Sequence, residues 1–315
     1  MAETLPPDGI LKLGTRRSPL AMAQAHETRD RLCAAHGWTP DRVQLVEVLA
    51  SGDRIKDRPL AEIGGKALWT KELDACLIDG RIDAAVHSMK DVETLRPAEL
   101  AIAAILPRAD KRDMLVGASS IGGIPQGARV GTSAPRRAAQ LLHARSDCEV
   151  VTFRGNVATR LARLQASEAD VTFLAKAGLD RLGEHGVGTP LDPAEFLPAP
   201  AQGAIGIETR ADDPAVAALF APLDHAPSRA EVMAERALLE ALGGNCHSPI
   251  ALLCDFAAGR LAMRAALFSP DGAERVEGEA EFAAEDTGAP ARLAADLLSR
   301  ASKGIRSVFS GPPHS

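Results

Sequence analysis

Short β-rich runs alternate with helical segments over the first two thirds of the chain, and that alternation restricts it to α/β architecture. Ile10–Gly14 leads into a helix over Ser18–His36. Val43–Ala50 follows, and a helix over Thr70–Asp79 precedes a strand at Ile82–His87. The first helix carries its own boundary signals. Ser18 can accept a hydrogen bond from a free N–H of the first turn, Pro19 presets a helical φ, and Gly37 tolerates the left-handed exit. The pattern resumes after Pro107 with Met114–Gly117, Arg129–Gly131, a helix Pro135–Ala144, Glu149–Phe153, a helix from Asn156, and Val171–Ala175. Gly and Pro accumulate over Gly183–Gln202, which predicts a return linker, and Ala204–Thr209 supplies one more strand. After Pro227 a long helix runs to about Leu242. Strands at Ile250–Cys254, Leu261–Phe268 and Arg275–Ala280 and a helix from Pro290 then make a smaller α+β unit.

The 315 residues are 46% hydrophobic, enough for two or three domains rather than one small module. A net charge of −6 argues against a nucleic-acid or anionic-membrane partner, since both select a positive field. With no basic-then-apolar start and no long apolar run, the expected location is cytoplasmic. The five cysteines, Cys33, Cys76, Cys148, Cys246 and Cys254, contain no C-x-x-C pair. Neither a disulfide framework nor a metal site is expected, and four of them read as buried fillers.

Three times a strand ends in arginine at a helix start: Thr15-Arg16-Arg17-Ser18-Pro19, Thr132-Ser133-Ala134-Pro135-Arg136-Arg137 and Phe153-Arg154-Gly155-Asn156. A cation there opposes the positive end of the helix dipole at a cost of ~0.3 to 1 kcal/mol, so an anion is needed to resolve the conflict. Backbone N–H groups and guanidinium forks suit carboxylates or phosphates, and Arg160, one turn beyond Asn156, can join them. For any one arginine, pairing with a surface acid is the better reading; the recurrence at one structural position favours a ligand. Lys90 and Asp91 follow another strand, where Asp91 either faces a cationic intermediate or caps a turn or pairs with Lys90. Gly64-Gly65-Lys66 lacks the spacing of a phosphate loop. Cys246, after Gly243-Gly244-Asn245, is the best nucleophile nearby, although its position alone reads as that of a plain loop cysteine.

The strings Thr15-Arg16-Arg17-Ser18-Pro19, Gly64-Gly65-Lys66, Ala85-Val86-His87-Ser88-Met89-Lys90-Asp91, Val130-Gly131-Thr132-Ser133, Arg154-Gly155-Asn156-Val157 and Pro200-Ala201-Gln202-Gly203-Ala204 occur in the order found in porphobilinogen deaminases, also called hydroxymethylbilane synthases. The chain resembles that family from about Leu11 to Ile250. The resemblance implies two periplasmic-binding-protein-like α/β domains plus a smaller C-terminal α+β domain. These divide as 1–106 with 204–222, 107–203, and 226–315. It implies a transferase that joins four porphobilinogen units into hydroxymethylbilane with loss of ammonia, working as a monomer in tetrapyrrole and heme biosynthesis. It also implies a covalent dipyrromethane cofactor, one per chain, attached to Cys246 as a thioether.

By the same resemblance Asp91 is the catalytic carboxylate, and Arg16, Arg136, Arg137, Arg154, Arg160 and Arg181 bind the carboxylates of cofactor and substrate. Ser18, Lys66, Ser88, Thr132 and Ser133 stand beside them, with Lys90, Gly155 and Gln202 inside the shared motifs. A carboxylate ~4 Å from a developing cation contributes about 4 kcal/mol at an effective dielectric of 20, or ~10³ in rate if specific to the transition state. The chain departs from the family pattern at Trp69, Pro135, Lys176 and Gly244-Asn245-Cys246-His247. Lys176 either adds an anion contact or covers surface. The segment 51–63, with Gly52 and several charges, is expected to form a lid. The rival reading is a noncatalytic anion-binding protein of the periplasmic-receptor class. A DNA-binding regulator would need a basic face and helix pair that the sequence does not show.

Overall fold

The computed structural model describes residues 9–49, 70–245, 248–309 and 311. In chain order the elements are β1 (Leu11–Arg16), α1 (Pro19–His36), β2 (Val43–Val48), α2 (Lys71–Ile78), β3 (Ala84–Ser88), β4 (Leu100–Ile105), β5 (Asp113–Val116), β6 (Arg129–Gly131), α3 (Pro135–Ala144), β7 (Glu149–Val151) and α4 (Val157–Gln165). There follow β8 (Val171–Ala175), α5 (Lys176–Arg181), β9 (Thr189–Pro190), β10 (Ile205–Arg210), α6 (Pro214–Phe220), α7 (Ala226–Ala241), β11 (Ile250–Ala257), β12 (Arg260–Phe268), β13 (Arg275–Ala283), α8 (Ala289–Arg300) and α9 (Lys303–Arg306).

Two compact units divide the chain, and Ala204–Arg229 returns to the first. In that unit the strand order is β2-β1-β3-β10-β4. β1 lies parallel to β2 and β3, whereas β10 is antiparallel to both β3 and β4. Helix α1 begins as the sequence predicts. The Ala21 N–H donates to the Ser18 hydroxyl, and Gly37 leaves the helix at φ 67°. The buried face of α1 carries Ala25, Leu32 and Cys33 onto Leu11, Leu13 and Val86. Full burial of one leucine contributes ~1.5 to 3 kcal/mol, so this apolar layer holds the strand ends in place.

The second unit contains a sheet of the same order and polarity, β7-β6-β8-β5-β9, in which β5 is the antiparallel strand next to β8. Its core is built on Val130, Leu141, Val171, Phe173 and Phe196. The same unit holds the antiparallel sheet β11-β12-β13, which buries Leu252, Leu261, Met263 and Leu267 against Leu238 and Leu242 after α7 and Leu293 and Leu297 of α8. Leu197, Ala139, Ala251, Ala266 and Phe268 join the two sheets through a separate apolar cluster. The α/β class and the smaller C-terminal α+β layer are as expected from the sequence.

Strand β4 and helices α5 and α6 were not foreseen. The predicted strands at Val43–Ala50 and Glu149–Phe153 stop at Val48 and Val151, while β11 and β13 run on to Ala257 and Ala283. Cys33, Cys76, Cys148 and Cys254 are buried free thiols. No helix among the described residues is long and apolar enough to cross a membrane.

Candidate active site

In the first unit the reactive groups sit at the carboxyl ends of β1 and β3. Arg16 ends β1, and buried Thr15 ties the following turn down by donating its hydroxyl to the Ala21 carbonyl at 3.0 Å. β3 ends at Ser88 and passes into a single 3-10 turn, Met89–Asp91. This brings an Arg16 Nη to 3.9 Å from an Asp91 carboxylate oxygen, with the two side chains 18% and 35% exposed. An open pocket of about 400 Å³ is lined by Arg16, Ser18, Gln24, His87, Ser88 and Asp91, among others. Lys90 is half-buried beside it in sequence. Arg17, by contrast, turns outward to Glu47 at 3.0 Å.

Gln24 is a site residue that the sequence reading missed. It is buried, and its side-chain amide meets the Ser88 hydroxyl at 2.8 Å. The signal was available: Gln24 interrupts the apolar stripe Ala21, Ala25, Leu32 on the inward face of α1, and a buried amide needs a partner.

In the second unit the ends of β6 and β7 carry the other strings. Thr132 is buried and accepts from the Ala134 N–H, and the Ser133 hydroxyl donates to the Phe153 carbonyl at 2.6 Å. Gly155 holds φ 111°, a conformation that side chains rarely adopt, and a Cβ there would fall 2.7 Å from Thr159. Asn156 caps α4 by accepting from the Thr159 N–H at 2.9 Å. Arg160 donates back to the Gly155 carbonyl at 3.0 Å, so it folds over the turn that Arg154 begins. Arg181 reaches the Gly203 carbonyl at 3.2 Å. The buried Gln202 amide donates to the Lys111 carbonyl at 2.7 Å.

Arg136 and Arg137 are where the structure departs from the sequence argument. The anion that answers them is internal: Asp113, fully buried at the start of β5, lies 2.7 Å from Arg136 and 2.6 Å from Arg137. Arg136 also donates to the Leu197 carbonyl and Arg137 to the Phe173 carbonyl. Burial alone would push the Asp113 carboxyl up, but the two guanidiniums outweigh it and hold the group at about 2. The physical reason for the departure is the fold: β5, antiparallel beside β8, delivers a carboxylate to the start of α3. Two guanidiniums still face one carboxylate, leaving a surplus positive charge.

Lys176 resolves toward the surface reading, paired with Asp180 one turn along α5. Cys246, Lys66 and the expected lid at 51–63 lie outside the described residues.

Residues 11–218 match the family model described as porphobilinogen deaminase, dipyromethane cofactor binding domain, and residues 229–299 match its C-terminal domain. The chain belongs to the porphobilinogen deaminase family. The porphobilinogen deaminase of Sphingopyxis alaskensis is 54% identical, covering 98% of this chain and all of that protein. Those of Paracoccus denitrificans and Nitrobacter winogradskyi are 48% and 44% identical, each over 96% of this chain and 97% and 98% of their own. Among solved structures, substrate-binding domain 2 of Lactococcus lactis GlnP in its open conformation aligns over 70% of this chain and 89% of its own, with a TM-score of 0.41 and 11% identity. Apart from Cys246, every residue expected in the site falls inside the matched cofactor-binding domain of the porphobilinogen deaminases.

Proposed function

We propose that the chain joins four porphobilinogen units, with loss of ammonia, into the linear tetrapyrrole hydroxymethylbilane, on a dipyrromethane primer held by a thioether to Cys246. The observation that carries this reading is the Arg16–Asp91 pair at the pocket where β1 and β3 end, inside the matched cofactor-binding domain. The family match leaves the noncatalytic anion-receptor alternative without support.

The residues present fit a carboxylate-bearing pyrrole chain. In the first unit Arg16 ends β1; in the second Arg154 follows β7, Arg160 lies in α4 and Arg181 ends α5, and the surplus positive charge of Arg136 and Arg137 over Asp113 calls for a further anion. Ser18 and Ser88 lie beside Arg16 and Asp91 in the first unit, Thr132, Ser133, Gln202 and the Gly155 turn belong to the second, and Lys66 and Lys90 add cations. When bound, the dipyrromethane supplies the pyrrole carbon to which the next unit is joined.

Asp91 is the catalytic residue. Loss of ammonia from the substrate's aminomethyl group leaves positive charge on that pyrrole, and a carboxylate beside it stabilises the cation as it forms. We take the enzyme to be a cytoplasmic monomer divided into the three domains expected from the sequence, without nucleic-acid or membrane partners, in keeping with its net charge of −6.

The test is intact-protein mass before and after Cys246→Ser, with Ehrlich's reagent for a bound dipyrrole. The expected result is a mass increment and colour in the parent that are absent from the variant. A parent that makes tetrapyrrole without the increment would overturn the attachment at Cys246.

A further inference from the structure

Sharing Thr70 and His87 with the pocket lining, a polar hub centred on Arg96, whose side chain is 9% exposed, is buried in the first unit. Its Nε and one Nη grip both oxygens of Glu208 on β10 at 2.8 and 2.7 Å. The same Nη donates to Asp74 of α2 at 2.6 Å, and the other donates to Glu93 at 2.8 Å. Glu93 also accepts from the Thr70 hydroxyl at 2.8 Å. The His87 ring of β3 stands 3.3 Å from Glu208, at the Oε2 that an Arg96 Nη also reaches. Burial pushes the Glu208 carboxyl up, but the neighbouring His87 and Arg96 reverse this and hold it at about 2. At Asp74 burial prevails over Arg96, and the group is raised. One guanidinium therefore serves three carboxylates from three segments, an arrangement that only the planar, forked donor set of arginine satisfies.

The position of the hub relative to Asp91 is the informative point. On the leading side the Asp91 turn is fixed where the Met89 N–H donates to the Ala204 carbonyl at 3.0 Å and Ser88 pairs with Ile205. On the trailing side Val92 is buried, and Glu93, two residues beyond Asp91, accepts from Arg96 and Thr70. Thr70 also lines the pocket. A 3-10 turn of three residues has almost no hydrogen bonding of its own to set its direction, so its two ends decide where the carboxylate points.

We propose that Arg96, acting through Glu93, is a positioning residue that fixes the reach of the Asp91 carboxylate. The proposal rests on the catalytic reading of Asp91. A carboxylate that stabilises developing charge is effective only when held in place before the reaction, so a slack turn lowers the rate while leaving the arginines that bind substrate untouched.

The experiment compares Glu93→Ala, Glu93→Gln and Arg96→Lys with Asp91→Asn in the cofactor-loaded enzyme, with kcat expressed per loaded molecule from intact mass. Glu93→Ala leaves the buried Arg96–Glu208–Asp74 core in place, so folding is preserved. The expected result is a kcat about tenfold or more below the parent for Glu93→Ala and Arg96→Lys, a KM within about threefold, and recovery to near-parent kcat in Glu93→Gln, which keeps an acceptor for Arg96 and Thr70. If Asp91→Asn is inactive while Glu93→Ala and Arg96→Lys turn over within twofold of the parent, the positioning role is wrong and the Asp91 reading survives. A loss confined to the loaded fraction, with kcat per loaded molecule unchanged, also overturns it. Full activity in Asp91→Asn removes both readings together.

Discussion

Replacing Asp113 with alanine removes the carboxylate that pairs with both Arg136 and Arg137 among the described residues, at a place where all three side chains are buried. Taking one partner from a buried ion pair costs about 3 to 5 kcal/mol, because the remaining charge cannot be rehydrated without opening the structure. The protonation equilibrium gives an independent lower figure. The Asp113 carboxyl is held at about 2 against an ordinary 3.8, which favours the charged folded state by roughly 2 to 3 kcal/mol. Since the folded value is depressed, this contribution is fully present above about pH 4 and is lost as the pH falls through about 2. Asp113→Asn, which keeps acceptors but no charge, should lose about the smaller amount, and Asp113→Ala the larger. Trp38, the tryptophan among the described residues, lies in the first unit, so fluorescence would report the wrong part of the molecule. Amide hydrogen exchange on peptides spanning 110–203 reads the affected unit directly. Protection in Asp113→Ala should fall by about 3 to 5 kcal/mol at pH 7, and the gap to the parent should narrow toward pH 3. A loss below about 1 kcal/mol, or a gap independent of pH, would refute the assignment of Asp113 as the internal counter-anion.

Two further predictions concern the catalytic turn. Asp91→Asn keeps shape and hydrogen-bonding capacity but removes the charge, and steady-state turnover should drop by ~10² to 10³ with the thermal midpoint nearly unchanged; near-normal turnover would exclude the electrostatic role. Gly206→Ala places a methyl group onto the Met89 sulfur, since a Cβ at that position of β10 overlaps it. The expected overpacking cost is about 1 to 3 kcal/mol in denaturant unfolding, with a fall in kcat because Met89 opens the turn that carries Asp91; unchanged kcat alongside reduced stability would show that Met89 does not transmit its position to the site.

The elements that were legible in the sequence are those whose signals lie within a turn of one another. Ser18, Pro19 and Gly37 bound α1 as expected, and Asn156 caps α4. Pro135–Ala144 forms α3 over the predicted span. The missed elements had ambiguous local patterns. Leu100–Ile105 is a nearly continuous apolar run that could be strand or buried helix, and α5 is six residues long with Gly178 inside it. Helix α6 did carry a signal that went unread: Asp213 before Pro214, the cap and first position of a helix. In the site, Arg16 and Asp91 were legible as candidates from motif order, but their approach was not, because it depends on β1 and β3 being neighbours in a parallel sheet.

By itself the sequence determined the α/β class, the capped helix starts at strand ends, and the family to which the ordered motifs point. Each of these rests on short-range sterics, backbone hydrogen bonding or local residue order. Tertiary structure alone decided which charge meets which. Asp113 reaches Arg137 across 24 positions, and Glu208 reaches Arg96 across 112. Both encounters are made by the antiparallel strands, β5 and β10, laid beside β8 and β3 in their sheets. A buried guanidinium must find an anion, but sequence proximity does not select which one; the sheet order does.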